Sequence, residues 1–131
     1  MRVLANEVQR HEGAAVTVAG WVHRIRALGG VTFVLLRDRS GLVQLVYDQE
    51  PTFTPESVIR VSGTVAGNEK APGGYEVQVS DTQVLAPAAT DLPISVNQDP
   101  DNIGLEALLD HRIISVRNPK IRHIFELQAT V

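Results

Sequence analysis

The stretch that decides the fold is GWVHRIRALGGVTFVLLRDRSGLVQLV, which runs from Gly20 to Val46. Valine, isoleucine, leucine and phenylalanine dominate it, and the dipeptides Gly29-Gly30 and Ser40-Gly41 interrupt it. β-Branched and aromatic residues favour strands, and glycine-containing dipeptides favour the tight turns of hairpins. The stretch therefore predicts three strands joined by two short turns, and it concentrates four arginines and the aromatic residue Phe33 on them.

The same pattern continues along the chain and predicts five strands after a short N-terminal helix. Val3, Leu4 and Val8 have helical spacing, and Gly13 is a helix stop. Pro72 and Gly73 suit the two central positions of a type II turn between the last two strands. Five strands within about seventy residues predict an all-β fold, a barrel or a sandwich. The predicted strands are Ala15–Arg26, Val31–Asp38, Leu42–Tyr47, Val58–Val65 and Tyr75–Leu85.

Alternation along the strands sorts side chains into an inner and an outer face. Thr32, Val34 and Leu36 face inward in the second predicted strand, so Phe33 faces outward. The same argument places Gln44 outward on the third strand, beside Phe33, and Glu76 outward on the fifth. The first strand breaks the alternation, because its valines share a face with Arg24 and Arg26, and Gly20 predicts a bulge or bend there.

The composition changes after the last strand and divides the chain into three parts. Residues 87–104 are rich in Pro, Asp, Asn and Ala without a period, which predicts a linker between the barrel domain at 1–86 and a helical part at 105–131. Pro119 fits the first turn of a helix in the last part. That helix is still amphipathic where the sequence stops, so we expect the chain to be a piece of a larger protein.

Composition and charge exclude several classes of function. The 131 residues include no cysteine, which excludes disulfides, thiolate metal sites and a cysteine nucleophile. No apolar run reaches the roughly 18 to 20 residues of a membrane span, so we expect a cytoplasmic protein with no membrane partner. The net charge is −3, yet residues 1–47 carry six arginines and only three acidic residues. Salt screens charges that are more than about 8 Å apart, so the acidic residues elsewhere do not cancel a local basic face. Such a face can attract a polyanion.

Because the sequence contains no catalytic motif, we expect a binding function rather than an enzymatic one. There is no P-loop, no HExxH pair, and the four histidines fall in separate segments. An aromatic, an amide and arginines on one face of a five-stranded barrel are typical of domains that bind single-stranded nucleic acid. Alternatively, Phe33 packs beneath the N-terminal helix, Gln44 is an ordinary surface residue, Arg37 pairs with an acid, and the barrel is a protein-interaction module.

Three segments resemble a known family: GWVHRIRALGGVTFVLLRDRSGLVQLV, KAPGGYEVQVSDTQVL and LLDHRIISVRNPKIRHIF. They are similar to the N-terminal anticodon-binding domain of class IIb aminoacyl-tRNA synthetases, in the archaeal-type aspartyl branch and its asparaginyl relative. The resemblance implies a five-stranded oligonucleotide-binding (OB) barrel that binds a tRNA anticodon loop centred on uridine 35. Phe33 matches the family aromatic that stacks on this uridine, and Gln44 the glutamine that bonds its edge. Arg26 and Arg24 match arginines at the anticodon loop.

The resemblance also bears on the third anticodon base, which alone separates the loops GUC and GUU. Relaxed enzymes of this branch tend to carry His and Pro where aspartate-restricted ones carry Trp and Lys, and this chain has His23 and Pro72. It therefore implies a parent enzyme that attaches aspartate to both tRNA(Asp) and tRNA(Asn). The candidate anticodon-binding residues are Phe33, Gln44, Arg26, Arg24, His23, Pro72, Lys70 and Glu76.

The catalytic motifs of the class are missing from these 131 residues. We therefore expect no catalytic residue, metal or cofactor in this chain, while the resemblance implies a homodimeric parent ligase that uses ATP and Mg²⁺. The alternatives are the anticodon-binding domain of an asparaginyl-tRNA synthetase and a freestanding OB-fold protein that binds single-stranded nucleic acid.

Overall fold

The computed structural model describes residues 2–88 and 96–130, apart from the side chain of Asn102. A seven-residue 3₁₀ helix, Ala5–His11, precedes five strands that form a closed barrel in the order β1-β2-β3-β5-β4. The predicted five-stranded barrel is thus confirmed, and the strand ends differ from the prediction by two residues at most. The strands are β1 (Ala15–Leu28), β2 (Val31–Asp38), β3 (Gly41–Tyr47), β4 (Val58–Gly67) and β5 (Tyr75–Ala86).

The barrel closes because β1 is long enough to pair on both sides. Its first half pairs antiparallel with β4 and its second half pairs antiparallel with β2. β3 and β5 complete the circle through a short parallel ladder, in which Gln44 pairs with Glu76. Closure leaves no strand of the barrel as an open edge.

The core follows the predicted alternation. Thr32, Val34 and Leu36 are buried, and the odd-numbered residues Val31, Phe33 and Leu35 of β2 are only half-buried. The 3₁₀ helix covers the core with Val8, and the carboxylate of Asp38 caps its first turn by accepting from the backbone N of Ala5 at 2.7 Å. The predicted N-terminal helix is therefore present as a 3₁₀ helix. The fully buried apolar residues of the barrel are Val18, Val22, Val34, Leu36, Leu45, Ile59, Val61, Val65 and Val77.

The irregularity in β1 lies three residues after the predicted position. The pairing register with β2 shifts between Val22 and Arg24, so His23 is the extra residue of the bulge. Gly20 has a different reason to be glycine, because a Cβ there would collide with the backbone carbonyl of Arg37. The sequence pattern identified the broken alternation correctly but assigned the bulge to the wrong residue.

The loop between β4 and β5 contains the predicted type II turn. Gly73 has φ 72° and ψ 1°, and the N of Gly74 donates to the O of Ala71 at 2.9 Å. Proline before this glycine fixes the first φ of the turn, and glycine accepts the positive second φ without a steric penalty. The turn lies at one end of the groove described below.

Contacts between residues divide the chain into two compact units, Met1–Thr90 and Asp91–Val131. The second contains α1 (Leu105–Asp110), α2 (Arg112–Ser115) and α3 (Pro119–Thr130), and α3 begins at the predicted proline. Asn118 is buried and fixes the segment before the helices, because its Nδ2 donates to the carbonyls of Val96 and Gln98, both at 2.8 Å.

The domain boundaries 1–86, 87–104 and 105–131 remain a prediction, and residues 89–95 of the predicted linker lie outside the described residues. None of the helices within the described residues is long and apolar enough to cross a membrane.

Candidate nucleic-acid interface

A groove of about 520 Å³ lies on the outer face of the barrel, between the β1–β2–β3 surface and the β4–β5 loop. Six of the eight predicted site residues line it, and three further residues complete the lining. The lining residues are Arg24, Arg26, Leu28, Phe33, Leu35, Gln44, Asn68, Lys70 and Pro72.

Strand register explains why these side chains meet. Arg26 is paired with Phe33 across β1 and β2, and Leu35 is paired with Gln44 across β2 and β3. Phe33 and Gln44 are therefore diagonal neighbours on one face, at a distance that aromatic and long side chains can bridge. Arg24 is paired with Leu35 across β1 and β2, so Arg24, Leu35 and Gln44 lie side by side on three neighbouring strands.

Phe33 is half-buried and contributes to the groove lining, so its alternative place beneath the N-terminal helix is not the one observed. Leu28 and Leu35 lie near it in the lining and were missed as site residues. Leu35 could have been found, because it has the same strand parity as Phe33. Leu28 lies beyond the predicted end of the first strand, so the alternation argument did not reach it.

Three cationic side chains line the groove together with the aromatic ring. Arg24, Arg26 and Lys70 are all exposed, and none of them forms an ion pair with a carboxylate within residues 2–88 and 96–130. Unpaired cations at a surface groove produce a positive potential that attracts anions. The groove thus combines apolar and aromatic surface with positive charge.

Gln44 is held in one orientation by Glu76. Its Nε2 donates to Oε2 of Glu76 at 2.9 Å, and the same oxygen accepts from Nδ2 of Asn68 at 2.8 Å. Glu76 faces outward as predicted, since it is paired with the outward-facing Gln44, yet it is only 8% exposed and bonded to both amides. It lies behind the groove and orients groove residues. Asn68 was missed by the sequence argument, which treated the residues before the turn as an unspecific loop.

A family model described as an OB-fold nucleic acid binding domain, of the tRNA anti-codon type, matches residues 16–85. This chain belongs to that family. Among its curated relatives, the aspartate–tRNA(Asp/Asn) ligase of Methanopyrus kandleri is 42% identical over 97% of this chain and 32% of the relative. The aspartate–tRNA(Asp/Asn) ligase of Thermus thermophilus is 40% identical over 100% of this chain and 31% of the relative.

A solved structure agrees with this assignment. The asparaginyl-tRNA synthetase from Pyrococcus horikoshii, complexed with asparaginyl-adenylate, matches with a TM-score of 0.86 and 31% identity, over 99% of this chain and 32% of that chain. The resemblance to the anticodon-binding domain of class II aminoacyl-tRNA synthetases is therefore confirmed. The chain spans about a third of the length of the curated relatives it matches.

His23 is a predicted site residue that is buried and does not line the groove. It is 8% exposed, and its Nδ1 lies 2.9 Å from Nη1 of Arg37. A guanidinium only donates, so Nδ1 accepts and the neutral imidazole carries its proton on Nε2. Burial lowers the pKa of His23 below its ordinary value of 6.5, and the charge of Arg37 lowers it further. The side chain lies in the bulge and contacts Arg37, which the alternation pattern could not show.

The four arginines between Gly20 and Val46 have different tasks in the OB-fold domain. Arg24 and Arg26 line the groove, whereas Arg37 is 5% exposed and forms a bidentate ion pair with Glu56. Its guanidinium carbon also lies 5.9 Å from the ring centre of Trp21. Arg39 is exposed at the β2–β3 turn. Arg24 and Arg26 are therefore exposed in the groove, whereas Arg37 joins β2 to the β3–β4 connection.

The described residues contain no group of three or more His, Cys, Asp and Glu side chains arranged to hold a metal ion. What the groove offers is an aromatic face, an oriented amide and three cations. This combination suits binding of a base and its phosphates.

Proposed function

We propose that this OB-fold domain binds the anticodon loop of tRNA, with Phe33 stacking on uridine 35 and Gln44 bonding the edge of the same base. The observation that carries the proposal is the groove itself, which brings an aromatic ring, an oriented amide and three cations together from β1, β2, β3 and the β4–β5 loop. Family membership and the names of the relatives support the same ligand.

The stacking step uses the half-buried ring of Phe33. Stacking of one base on an aromatic side chain contributes about 1 to 3 kcal/mol and does not by itself select a base. Leu28 and Leu35 extend the apolar floor around the ring. A flipped-out base at the centre of the loop would cover this apolar surface and remove it from water.

The selection step uses the fixed amide of Gln44. Because Nε2 faces the carboxylate of Glu76, the carbonyl oxygen Oε1 is the atom left to accept a hydrogen bond from a ligand. Uracil offers its N3–H as a donor, whereas N3 of cytosine is an acceptor. An amide locked in this orientation favours uridine at the centre of the anticodon.

The cations complete the site at the sugar-phosphate backbone. Arg24, Arg26 and Lys70 are exposed around the ring, and each provides donors to a phosphate of the loop. Such contacts fix the position of the RNA and carry no sequence information. They predict a strong dependence of affinity on salt.

The third anticodon base lies, in this proposal, at the end of the groove formed by Lys70 and Pro72. Proline offers no donor to distinguish cytidine from uridine there, which supports a domain that accepts both GUC and GUU loops. His23 contributes through the bulge that it fills rather than through direct contact, since its side chain is buried.

The parent protein, in this proposal, is a cytoplasmic aspartate–tRNA ligase that acts on tRNA(Asp) and tRNA(Asn). The relatives that carry this name support it. The family resemblance implies that such a parent is a homodimer and uses ATP and Mg²⁺ in a catalytic domain. The second candidate is an asparaginyl-tRNA synthetase, which the structural similarity to the Pyrococcus horikoshii enzyme supports.

The test is binding of this chain to three anticodon stem-loops, GUC, GUU and GAC, together with a Phe33→Ala variant. We expect the unmodified chain to bind GUC and GUU comparably and to bind GAC weakly. The Phe33→Ala variant should bind all three loops weakly. A strong preference for GUC would contradict the relaxed specificity, and a preference for GUU would favour the asparaginyl enzyme. Equal binding to all three loops, unaffected by the substitution, would contradict anticodon recognition and favour a general single-strand-binding barrel.

A further inference from the structure

The bulge in β1 determines where two groove arginines point. Val18 and Val22 face the interior of the barrel and are fully buried. Strict alternation would direct Arg24 to the same interior face, because alternate residues of a strand share a face. The register shift at His23 reverses the alternation, and both Arg24 and Arg26 are exposed at the groove. Arg24 and Arg26 can therefore line the groove only because the strand has this bulge.

Two residues of the β3–β4 connection hold the strand immediately before the bulge. The backbone N of Glu56 donates to the O of Val22 at 2.6 Å, and the N of Val22 donates to the O of Ser57 at 2.8 Å. Glu56 has a φ of 67°, in the left-handed region that favours glycine. A non-glycine residue keeps such a conformation only where its surroundings fix it, and such residues cluster at functional sites.

The carboxylate of Glu56 reaches the bulge itself through Arg37. Nη1 and Nη2 of Arg37 donate to its two oxygens at 3.0 and 2.5 Å, and Nη1 also contacts Nδ1 of His23. All three side chains are buried, at 8% exposure or less. A buried charge without its partner is strongly unfavourable, so each member of this chain of contacts constrains the others.

We propose that Glu56 is a positioning residue for RNA binding: through Arg37 and His23 it holds the β1 bulge and so directs Arg24 and Arg26 into the groove. The inference rests on the proposed function, because it assigns to those arginines the phosphate contacts of the anticodon loop. Glu56 does not line the groove and touches no RNA in this arrangement. It acts through the backbone geometry of the strand that carries the two arginines.

The experiment measures binding of a fluorescently labelled GUC stem-loop at a series of NaCl concentrations. The variant is Glu56→Gln, which keeps the shape of the side chain and removes its charge. Glu50→Gln is the matched control, because Glu50 is an exposed glutamate of the same connection and its replacement changes the net charge equally. The double variant R24Q/R26Q and the triple variant that adds E56Q complete a mutant cycle, which isolates the coupling between the sites.

We expect E56Q to lower affinity at about 50 mM salt on the order of tenfold, and to reduce the slope of log K against log salt by about 0.7 for each phosphate that the arginines no longer neutralise. R24Q/R26Q should have a similar effect, and adding E56Q to it should change affinity less than about twofold. E50Q should leave the slope as in the wild type. A normal slope for E56Q, or an effect that is fully additive to that of R24Q/R26Q, would overturn the positioning role.

Folding is monitored for each variant by circular dichroism and urea unfolding. If E56Q leaves Arg37 uncompensated and the barrel unfolds, the variant R37Q/E56Q replaces it, because two amides remove both buried charges and retain a hydrogen bond. It should show the same reduced salt slope, and a normal slope would again overturn the proposal. A wild-type chain that fails to bind the stem-loop contradicts the proposed function and the positioning role together, whereas normal wild-type binding beside an unaffected E56Q contradicts the positioning role alone.

Discussion

Nε2 of Gln44 donates to Oε2 of Glu76 at 2.9 Å across the parallel pair of β3 and β5. The same oxygen accepts from Nδ2 of Asn68, in the loop that forms the far side of the groove. An ionised carboxylate only accepts hydrogen bonds, so both amides must turn their nitrogens toward it. The orientation of the Gln44 amide is thus fixed before any ligand binds. Such preorganisation lowers the entropic cost of binding.

Replacing Glu76 by Gln should weaken the preference for uridine at the centre of the anticodon. The new amide both donates and accepts, so Gln44 is no longer confined to one orientation. We expect the preference for a GUC over a GCC stem-loop to fall by about 0.5 to 1.5 kcal/mol, the net contribution of a hydrogen bond between neutral groups. Fluorescence anisotropy with both loops measures it. Glu69→Gln, an exposed residue of the β4–β5 loop, is the control, and an unchanged preference in the Glu76 variant would contradict the orienting role.

Replacing Phe33 by Ala should remove the stacking interaction. The affinity for the GUC loop is expected to fall by about 1 to 3 kcal/mol. Leu35→Ala is the matched control, because Leu35 lines the same groove and offers apolar surface without an aromatic face. Equal effects of the two substitutions, measured by titration at one salt concentration, would show that Phe33 contributes apolar area alone.

Replacing Arg24 or Arg26 by Gln should reduce the salt dependence of binding. Each phosphate that the protein no longer neutralises lowers the slope of log K against log salt by about 0.7 for single-stranded RNA. Arg60→Gln is the control, because Arg60 is also an exposed arginine and is absent from the groove lining. A slope that falls as much for Arg60 as for Arg26 would show a diffuse attraction to the whole surface.

Residue periodicity was sufficient for the parts of the fold that depend on local patterns. It predicted the five strands, the shared face of Phe33 and Gln44, and the glycine turn before β5, because each follows from alternation or from turn chemistry. It failed where tertiary contacts decide. It did not show that the outward-facing Glu76 is covered by two amides from other segments, or that His23 is buried in a bulge against Arg37. Neither set of partners is adjacent in sequence.

The buried His23 should make the barrel less stable in mild acid. Its pKa is lowered in the folded state, first by burial and then by Arg37, while the unfolded chain keeps a value near 6.5. As the pH falls below about 6.5, the unfolded state takes up the proton first, so the free energy of unfolding decreases; above that pH the stabilisation is complete. Urea unfolding between about pH 7.5 and 5 measures this dependence.

His23→Gln is the control for this dependence, because its amide oxygen can accept from Arg37 and the side chain does not titrate. The other histidines contribute to both proteins, so the difference between the two pH profiles reports His23 alone. Parallel profiles would mean that His23 keeps its ordinary affinity for protons in the folded barrel.

Replacing Gly20 by Ala should destabilise the barrel, although glycine there has an ordinary backbone conformation. A Cβ at this position would meet the carbonyl of Arg37 on the neighbouring strand, so β1 and β2 would have to move apart. Overpacking of this kind costs about 1 to 3 kcal/mol. Gly30→Ala is the control, since a Cβ at Gly30 has no heavy atom within 4 Å. Gly20 lies against the backbone of Arg37, whose side chain contacts His23 and Glu56. The Gly20 variant should therefore also bind RNA more weakly and with a smaller dependence on salt. A stability equal to that of the Gly30 variant in urea unfolding would contradict the close approach of the two strands.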